Sequence, residues 1–327
     1  MEKNPGMYVN GSKKVMIIGS GIVGQATGKG LIKGGISNIV FVDTNPDVLE
    51  SLSNEGYRVC TPDNIGTEID DVDISMFCLP TPFDQNLSKL DLKYVDTSLV
   101  WFAKLLRNRV SKDRYNLIVI RSTVAPGTTE KLLIPLIEMH SGMKIGTDFG
   151  LCMQPEFLRS LTSEYDFMNP RSIVIGQYDV QSGSILEELY RQAGFDVPII
   201  RVNLSTAEFI KFTGNYFNAT KISFANEMWA LGKKLGIDSN LSLKIAATVA
   251  EGFWNPLYGT YGGQPFGGRC LPKDIDCLLS FCREINAEMP LLKAVHSVNS
   301  RMEQVVSQGE TPRPSVYREG KTNISSI

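Results

Sequence analysis

The stretch that decides the fold is Lys14-Val-Met-Ile-Ile-Gly19-Ser-Gly21-Ile22-Val23-Gly24, in which an apolar run leads directly into three glycines spaced GxGxxG. The apolar run is typical of a strand buried in a parallel sheet. Helix-compatible sequence follows, and Asn38-Ile-Val-Phe-Val-Asp43 is the next strand-like run. In this order the glycines serve a tight turn, close approach to a pyrophosphate, and close packing of helix on strand. The stretch therefore predicts a dinucleotide-binding fold.

Asp43 closes the second predicted strand, nineteen residues after Gly24. A carboxylate at about this spacing receives the ribose hydroxyls of a dinucleotide. No Arg or Lys stands in the following Thr44-Asn45-Pro46 to receive a 2′-phosphate, which favours NAD over NADP. The alternative is a glycine turn in an unrelated α/β protein. We predict NAD as the cofactor, bound by Gly19, Gly21, Ile22, Val23, Gly24 and Asp43.

Strand-like runs continue through the first two hundred residues, and polar residues collect where several of them end. The further runs lie at 73–78, 117–121, 148–153, 172–176 and 197–201. The first three end at Leu79-Pro80-Thr81-Pro82, at Ser122-Thr123-Val124 and at Gln154-Pro-Glu156-Phe157-Leu158-Arg159. An open α/β sheet builds its site at the carboxyl ends of its strands. The pattern predicts an α/β fold class with an N-terminal doubly wound Rossmann-type sheet over residues 1–202.

The sequence becomes helical from residue 203. Residues 205–235 contain no proline and are rich in Ala, Phe, Ile, Lys and Glu, which predicts a helix about twice the usual length. Shorter helices are predicted at 239–250, 273–285 and 290–306. An all-helical domain built on the long central helix is therefore predicted over residues 203–306. Residues 307–327 are polar with two prolines and are predicted to form a disordered tail.

Composition and charge exclude several classes of protein. The 327 residues carry a formal net charge of -2, which argues against a nucleic-acid-binding surface across the chain. No apolar run reaches the about 18 residues that span a bilayer, and the N-terminus lacks a signal peptide, so we expect a cytoplasmic protein with no membrane partner. The six cysteines include no CxxC pair and the chain has two histidines, so no metal site is predicted.

A cysteine stands in a glycine-rich loop just before a predicted helix, in Phe266-Gly267-Gly-Arg269-Cys270-Leu-Pro-Lys273-Asp274. A helix N-terminus stabilises anions, so a thiol at this position ionises more easily, and the flanking Arg269 and Lys273 act in the same direction. Asp274 lies four residues on, where it can exchange a proton or orient a water. The pattern favours a catalytic thiolate, although a free cysteine is more often a small buried hydrophobe.

Seven short motifs occur between residues 14 and 305. They are Gly19-Ser-Gly-Ile-Val-Gly24, Leu79-Pro-Thr-Pro82, Ser122-Thr-Val-Ala-Pro-Gly127, Gln154-Pro-Glu-Phe-Leu-Arg159, Asp166-Phe-Met-Asn-Pro170, Glu208-Phe-Ile-Lys-Phe212 with Asn215, and Phe266-Gly-Gly-Arg-Cys-Leu-Pro-Lys-Asp274. This ordered set resembles the UDP-glucose/GDP-mannose dehydrogenase family. The resemblance implies NAD-dependent oxidation of a nucleotide-sugar primary alcohol to the uronic acid, with UDP-glucose as the default substrate, and a homodimer formed through the long central helix.

The resemblance also implies catalytic roles. Cys270 is the implied nucleophile, which traps the aldehyde as a thiohemiacetal and carries it to a thioester that water hydrolyses. Lys211 and Asn215, four residues apart on one helix face, resemble the pair that binds the reacting oxygen as charge develops on it. Asp274 would manage protons, and a Thr–Glu pair would organise water. The implied catalytic set is Cys270, Lys211, Asn215, Asp274, Thr123 and Glu156.

The implied substrate and cofactor contacts extend this set. Pro80, Thr81 and Thr123 are the additional cofactor-binding residues. The implied substrate-binding residues are Phe157, Leu158, Arg159, Lys211, Asn215, Tyr258, Tyr261, Phe266 and Gly267. The chain departs from the family pattern at Ser160, where a Glu often stands, and in the loop 256–265, which does not match the usual uridine-binding segment. It also ends before the second Rossmann-like domain that covers the nucleotide in the family.

Two other functions fit parts of the sequence. A single-step hydroxyacid dehydrogenase of the 6-phosphogluconate type shares the Rossmann domain, long helix and catalytic lysine, but needs no cysteine nucleophile. A non-catalytic NAD-binding module needs only the first half. The presence of Lys211, Asn215, Cys270 and Asp274 argues against the non-catalytic module, and the NADH released per sugar distinguishes the single-step dehydrogenase from the two-step one.

Overall fold

The computed structural model describes residues 13–110 and 114–308. The described residues form two compact units, which divide between Gly214 and Asn215. The boundary that the sequence predicts, after residue 202, stays a prediction. The predicted disordered tail, 307–327, begins with Ser307, the last residue of a helix, and Gln308, and its remainder, 309–327, lies outside the described residues.

The first unit is built on an eight-stranded sheet. In chain order the strands are β1 Val15–Ile18, β2 Ile39–Val42, β3 Val59–Cys60, β4 Ile74–Phe77, β5 Phe83–Asp84, β6 Lys89–Leu90, β7 Asn116–Ile120, β8 Phe149–Met153, β9 Ile173–Gln177 and β10 Ile199–Asn203. The sheet has the order β10-β9-β8-β7-β4-β1-β2-β3, and β5 and β6 form a separate hairpin. Within the described sheet, neighbouring strands pair in parallel except β8 and β9, which are antiparallel.

The helices of this unit cover both faces of the sheet, as the doubly wound prediction requires. They are α1 Ile22–Lys33, α2 Pro46–Asn54, α3 Lys93–Asn108, α4 Ile134–Ser141, α5 Ser163–Met168, α6 Val180–Gln192 and the start of α7 Leu204–Leu235. Met16 and Ile18 of β1 pack in a cluster with residues of α3 and α4, whereas Val15 and Ile17 pack in a second cluster with residues of α1 and α6. Burial on both faces explains why the strands are continuous apolar runs. The predicted fold class is confirmed.

The second unit is helical and has a small core. It contains the rest of α7, with α8 Ser239–Val249, α9 Glu251–Trp254, α10 Leu271–Glu284 and α11 Pro290–Ser307. Its buried cluster comprises Leu231, Leu279, Cys282, Met289 and Leu292. Glu227 of α7 accepts the backbone N–H groups of Leu291 (2.7 Å) and Leu292 (3.0 Å), and so satisfies the free donors at the start of α11. None of the helices described is long and apolar enough to cross a membrane.

Candidate active site

The loops that follow β4 and β7 are tied together by hydroxyl groups. The Ser122 hydroxyl donates to the Leu79 carbonyl at 2.7 Å and accepts from the Leu79 N–H at 3.0 Å. The Thr81 hydroxyl donates to the Thr123 carbonyl at 2.7 Å. The structure therefore brings Thr81 and Thr123, predicted from two separate motifs, into direct contact at the carboxyl ends of adjacent strands.

The glycine-rich turn leaves an open helix N-terminus. Gly19 has a φ of +88°, and a Cβ there would lie 2.7 Å from the carbonyl of Cys78. A Cβ at Gly24 would lie 2.0 Å from the carbonyl of Gly19, so α1 can pack against β1 only with a glycine at this position. A Cβ at Gly21 would meet nothing within 4 Å, and no side chain caps α1. The first N–H groups of α1 are thus accessible to an anion.

The Asp43 carboxylate is held at the end of β2 by two backbone donors. Its Oδ2 accepts from the Ser20 N–H at 2.6 Å and its Oδ1 from the Asn45 N–H at 2.9 Å. Each carboxylate oxygen can accept a further hydrogen bond, so the group stays available to ribose hydroxyls. Beside it is a cavity of about 360 Å³ lined by Ile18, Gly19, Val42, Asp43, Thr44, Pro62, Leu79, Tyr94, Thr97, Ser98 and Trp101.

Lys211 and Glu156 form a buried ion pair. The Lys211 ammonium donates to Glu156 Oε1 at 2.8 Å and to the Glu156 backbone carbonyl at 2.5 Å, and it lies 5.7 Å from the centre of the Phe157 ring. The side chains are 8% and 15% exposed. Glu156 Oε2 also accepts the Leu158 N–H at 2.7 Å. The long helix and the loop after β8 are thereby joined by the two side chains that sequence analysis placed in the catalytic set.

Glu208 is fully buried one helical turn before Lys211. Its carboxylate accepts the N–H groups of Gly127 (2.5 Å) and Thr129 (2.8 Å). The Thr129 N–H belongs to the first residue of a π-helical turn, Thr129–Leu133, which continues into α4, and Gly127 lies two residues before it. Glu208 lies within a family motif, but the resemblance implies no role for it. An acidic residue three positions before Lys211, on the same helix face, is the signal that could have found it.

The loop after β8 borders a cavity of about 880 Å³. Arg121, Glu156, Phe157, Leu158 and Arg159 are among the residues that line it. Arg121 is buried and donates to Tyr190 at 3.2 Å and to Gln154. Arg159, a predicted substrate residue, forms hydrogen bonds to Asp166 through its backbone N–H (2.9 Å), Nε (3.0 Å) and Nη2 (2.6 Å). These bonds hold the pKa of Asp166 well below its usual range. Arg159 is therefore already paired with a side chain of α5.

Cys270 occupies the N-cap position of α10 and is exposed. The Asp274 N–H donates to the Cys270 carbonyl at 2.9 Å, which closes the first turn of the helix. The Asp274 carboxylate is exposed and pairs with the Lys273 ammonium at 2.9 Å. The hydrogen bond to Asp274 raises the pKa of Lys273. The predicted placement of the thiol just ahead of a helix is thus observed, and one of its two flanking cations is engaged by Asp274.

The remaining predicted residues of the second unit lie on exposed loops and helix faces. Tyr258 and Tyr261 are each 44% exposed, and Asn215 and Gly267 are also exposed. The Phe266 N–H donates to the side-chain carbonyl of Asn299 at 2.7 Å. Asn299 is buried on α11, so this bond anchors the glycine-rich loop that precedes Cys270.

Comparison with known proteins decides the family. The NAD binding domain of the UDP-glucose/GDP-mannose dehydrogenase family matches residues 55–194, and its central domain matches residues 205–301. A UDP-glucose 6-dehydrogenase of Haloferax volcanii is 31% identical over 309 residues, which cover 88% of this chain and 69% of that protein. The chain belongs to the UDP-glucose/GDP-mannose dehydrogenase family. The TrkA-N domain also matches residues 15–69, which include the glycine-rich turn.

Other members of the family share the sequence and the fold. A GDP-mannose 6-dehydrogenase of Pseudomonas savastanoi pv. phaseolicola is 35% identical over 279 residues, which cover 84% of this chain. The chain spans about three fifths (60%) of the length of that relative. The crystal structure of a ternary complex of GDP-mannose dehydrogenase from Pseudomonas aeruginosa superposes with a TM-score of 0.81 at 32% identity, over 92% of this chain and 72% of that one.

NAD is the cofactor of the family's first domain, and the residues of this chain fit it. The open N-terminus of α1 suits a pyrophosphate, and the Asp43 carboxylate lies beside a cavity that suits an adenosine. The sequence after Asp43 offers no cation for a 2′-phosphate. Gly21, Ile22, Val23 and Asp43 would therefore hold the dinucleotide, with Pro80, Thr81 and Thr123 on the neighbouring loops.

Proposed function

We propose that this protein oxidises the primary alcohol of a nucleotide sugar to the acid with NAD. The largely buried pair of Lys211 and Glu156, held at the loop after β8 in a chain of this family, is the observation that carries the proposal. An ammonium in a site with little water can stabilise negative charge that develops on an oxygen. Lys211 and Asn215 would hold the reacting oxygen, and Thr123 and Glu156 would position water.

Cys270 is the proposed nucleophile. NAD, when bound, accepts the hydride in each of two oxidations. The Cys270 thiolate would add to the aldehyde carbon from the first oxidation and form a thiohemiacetal, which the second oxidation converts to a thioester. Water then attacks the thioester carbon, the thiolate leaves, and Asp274 would take the proton from the water. The exposed position of Cys270 at a helix N-terminus supports this role.

The identity of the sugar and of the nucleotide base in the substrate is also a proposal. UDP-glucose was the expectation from sequence. The relative at 35% identity and the structure at TM-score 0.81 are both GDP-mannose dehydrogenases, which supports GDP-mannose as an equal candidate. The deciding experiment measures NADH formed per sugar with a panel of UDP-, GDP- and dTDP-sugars. Two NADH per sugar supports the proposal, and one NADH per molecule of a hydroxyacid supports the single-step alternative.

The Cys270→Ser variant tests the mechanism. We expect it to stop after one NADH, with the aldehyde or its hydrate as the end product detected by mass spectrometry. Full acid formation by this variant would refute the nucleophile assignment. Binding of NAD with no turnover of any sugar by the unmodified protein would favour the non-catalytic module.

We also propose that α7 carries a homodimer interface. Phe209, Phe212, Tyr216 and Phe217 lie on this helix and are between 37% and 77% exposed. Large aromatic side chains clustered on an exposed face are typical of interaction surfaces. Light scattering after gel filtration should give twice the chain mass, and Phe217→Glu should return the monomer mass. A monomer before substitution would refute this proposal.

A further inference from the structure

Glu208 joins two parts of the candidate site. The loop that carries Thr123 is fixed at one end by hydroxyl bonds to the loop after β4, and at the other end by Glu208, which accepts the N–H groups of Gly127 and Thr129. Glu208 belongs to the same helix as Lys211, three residues earlier. Such residues share a helix face and are separated by about 4.5 Å along the axis. The Glu208 side chain therefore fixes the distance between the Thr123 loop and the helical turn of Lys211.

The environment of Glu208 explains how a carboxylate can be buried there. Its side chain is fully buried, and a buried charge is costly unless hydrogen bonds compensate it. The two N–H donors stand at the beginning of a helical segment, where the positive end of the helix dipole also favours an anion. At the start of a helix, N–H groups such as these have no carbonyl of the same helix to bond to. The arrangement therefore suits a carboxylate, which accepts both N–H groups.

We propose that Glu208 is a positioning residue that holds the Thr123 loop against the helical turn of Lys211. The proposal rests on the proposed oxidation, in which Lys211 holds the reacting oxygen and Thr123 positions water. Glu208 has no access to a ligand, so its loss should act through Lys211 and Thr123 and lower kcat by more than it raises the KM for NAD, to which Thr123 contributes. A glutamine at this position has one acceptor oxygen in place of two, so one of the two N–H groups would face an NH₂ group.

The test compares Glu208→Gln with Glu227→Gln in the full chain. Glu227 is a matched control, since it lies on the same helix and also accepts two N–H groups at the start of another helix. At a temperature where both variants are folded, we expect Glu208→Gln to lower kcat by about tenfold or more, with the KM for NAD within about threefold. Glu227→Gln should keep kcat within about twofold. Equal losses of kcat in both variants, or an unchanged kcat in Glu208→Gln, would overturn the proposal.

Two further measurements separate this proposal from the proposed function. If the unmodified protein forms no NADH from any nucleotide sugar, the proposed function fails, and amide hydrogen exchange then decides the positioning role. Faster exchange at 122–129 in Glu208→Gln, with unchanged exchange at 19–43, supports it, and unchanged exchange at 122–129 overturns it. If Glu208→Gln does not fold, Glu208→Asp replaces it. The shorter carboxylate should lower kcat by about threefold or more, and an unchanged kcat again overturns the proposal.

Discussion

Replacing Lys211 by methionine should separate the structural from the chemical role of its ion pair with Glu156. Methionine keeps much of the length of the side chain and removes the ammonium. The Glu156 carboxylate, 15% exposed, then loses its cation, which typically costs 3–5 kcal/mol. Glu156 keeps the Leu158 N–H, so we expect a loss of about 3 kcal/mol in the free energy of unfolding of the first unit.

The double variant Lys211→Met/Glu156→Gln should recover most of this loss. Glu156→Gln alone should cost about 1 kcal/mol, because Lys211 retains the Glu156 backbone carbonyl as acceptor. The double variant buries no unpaired charge and should also cost about 1 kcal/mol, which corresponds to a coupling of about 3 kcal/mol. Native-state hydrogen exchange of β7 and β8 measures the stability of the first unit without contributions from the second.

Across these single and double variants, kcat should not follow the free energy of unfolding. Both variants that lack the ammonium should lose about 10²- to 10³-fold in kcat, although the double variant is nearly as stable as the unmodified protein. Lys29→Met is the control, because Lys29 is also buried and pairs with Glu55 at 2.8 Å elsewhere in the same unit. It should retain kcat. A double variant that recovers activity together with stability, or one that recovers neither, would refute the reasoning.

Three further outcomes are expected. Iodoacetamide at pH 8 should label the exposed Cys270 and leave Cys78 unmodified, because burial raises the pKa of Cys78 to about 11; peptide mass spectrometry that finds Cys78 labelled in the folded protein would contradict this. Asp43→Ala should raise the KM for NAD by about tenfold and change kcat little, and steady-state kinetics with an unchanged KM would exclude the ribose contact. Hydrogen bonds from Arg159 lower the pKa of Asp166, so this pair stabilises the fold above the ordinary Asp pKa of about 3.9, and the contribution is lost as pH falls below that value. Asp166→Asn should therefore weaken the acid dependence of unfolding in this range, and identical acid curves would show that the pair contributes nothing.

Local sequence patterns predict seven of the eight strands of the main sheet and the long helix, whereas the two-residue strand β3 and the hairpin of β5 and β6 are too short to give a pattern. The apolar runs at 15–18, 39–42 and 74–77 are buried on both faces, so their composition directly reports their environment. The glycine pattern of the first turn was equally informative, since steric contacts at Gly19 and Gly24 exclude other residues.

Long-range polar pairing could not be predicted in the same way. The bond between Glu208 and the N–H of Gly127 joins residues far apart in sequence, and the composition of either segment does not report it. The pairing of Arg159 with Asp166 was missed for a different reason. The residues lie close in sequence, but an arginine in a family motif suggests a ligand contact, and nothing in the motif indicates a partner seven residues on.

The reversal of strand direction between β8 and β9 has a consequence for the path of the chain. Gln177, at the end of β9, is opposite both Cys152 of β8 and Asn203, the last residue of β10. The chain therefore leaves the sheet level with the fourth of the five residues of β8, close to the carboxyl end of that strand. The helix that follows contacts Gly127 after about one turn and Glu156 after about two. Strands β9 and β10 run opposite to β8, and α7 begins directly after β10. Lys211 of α7 therefore reaches the carboxyl ends of the parallel strands without a connecting loop whose length could vary.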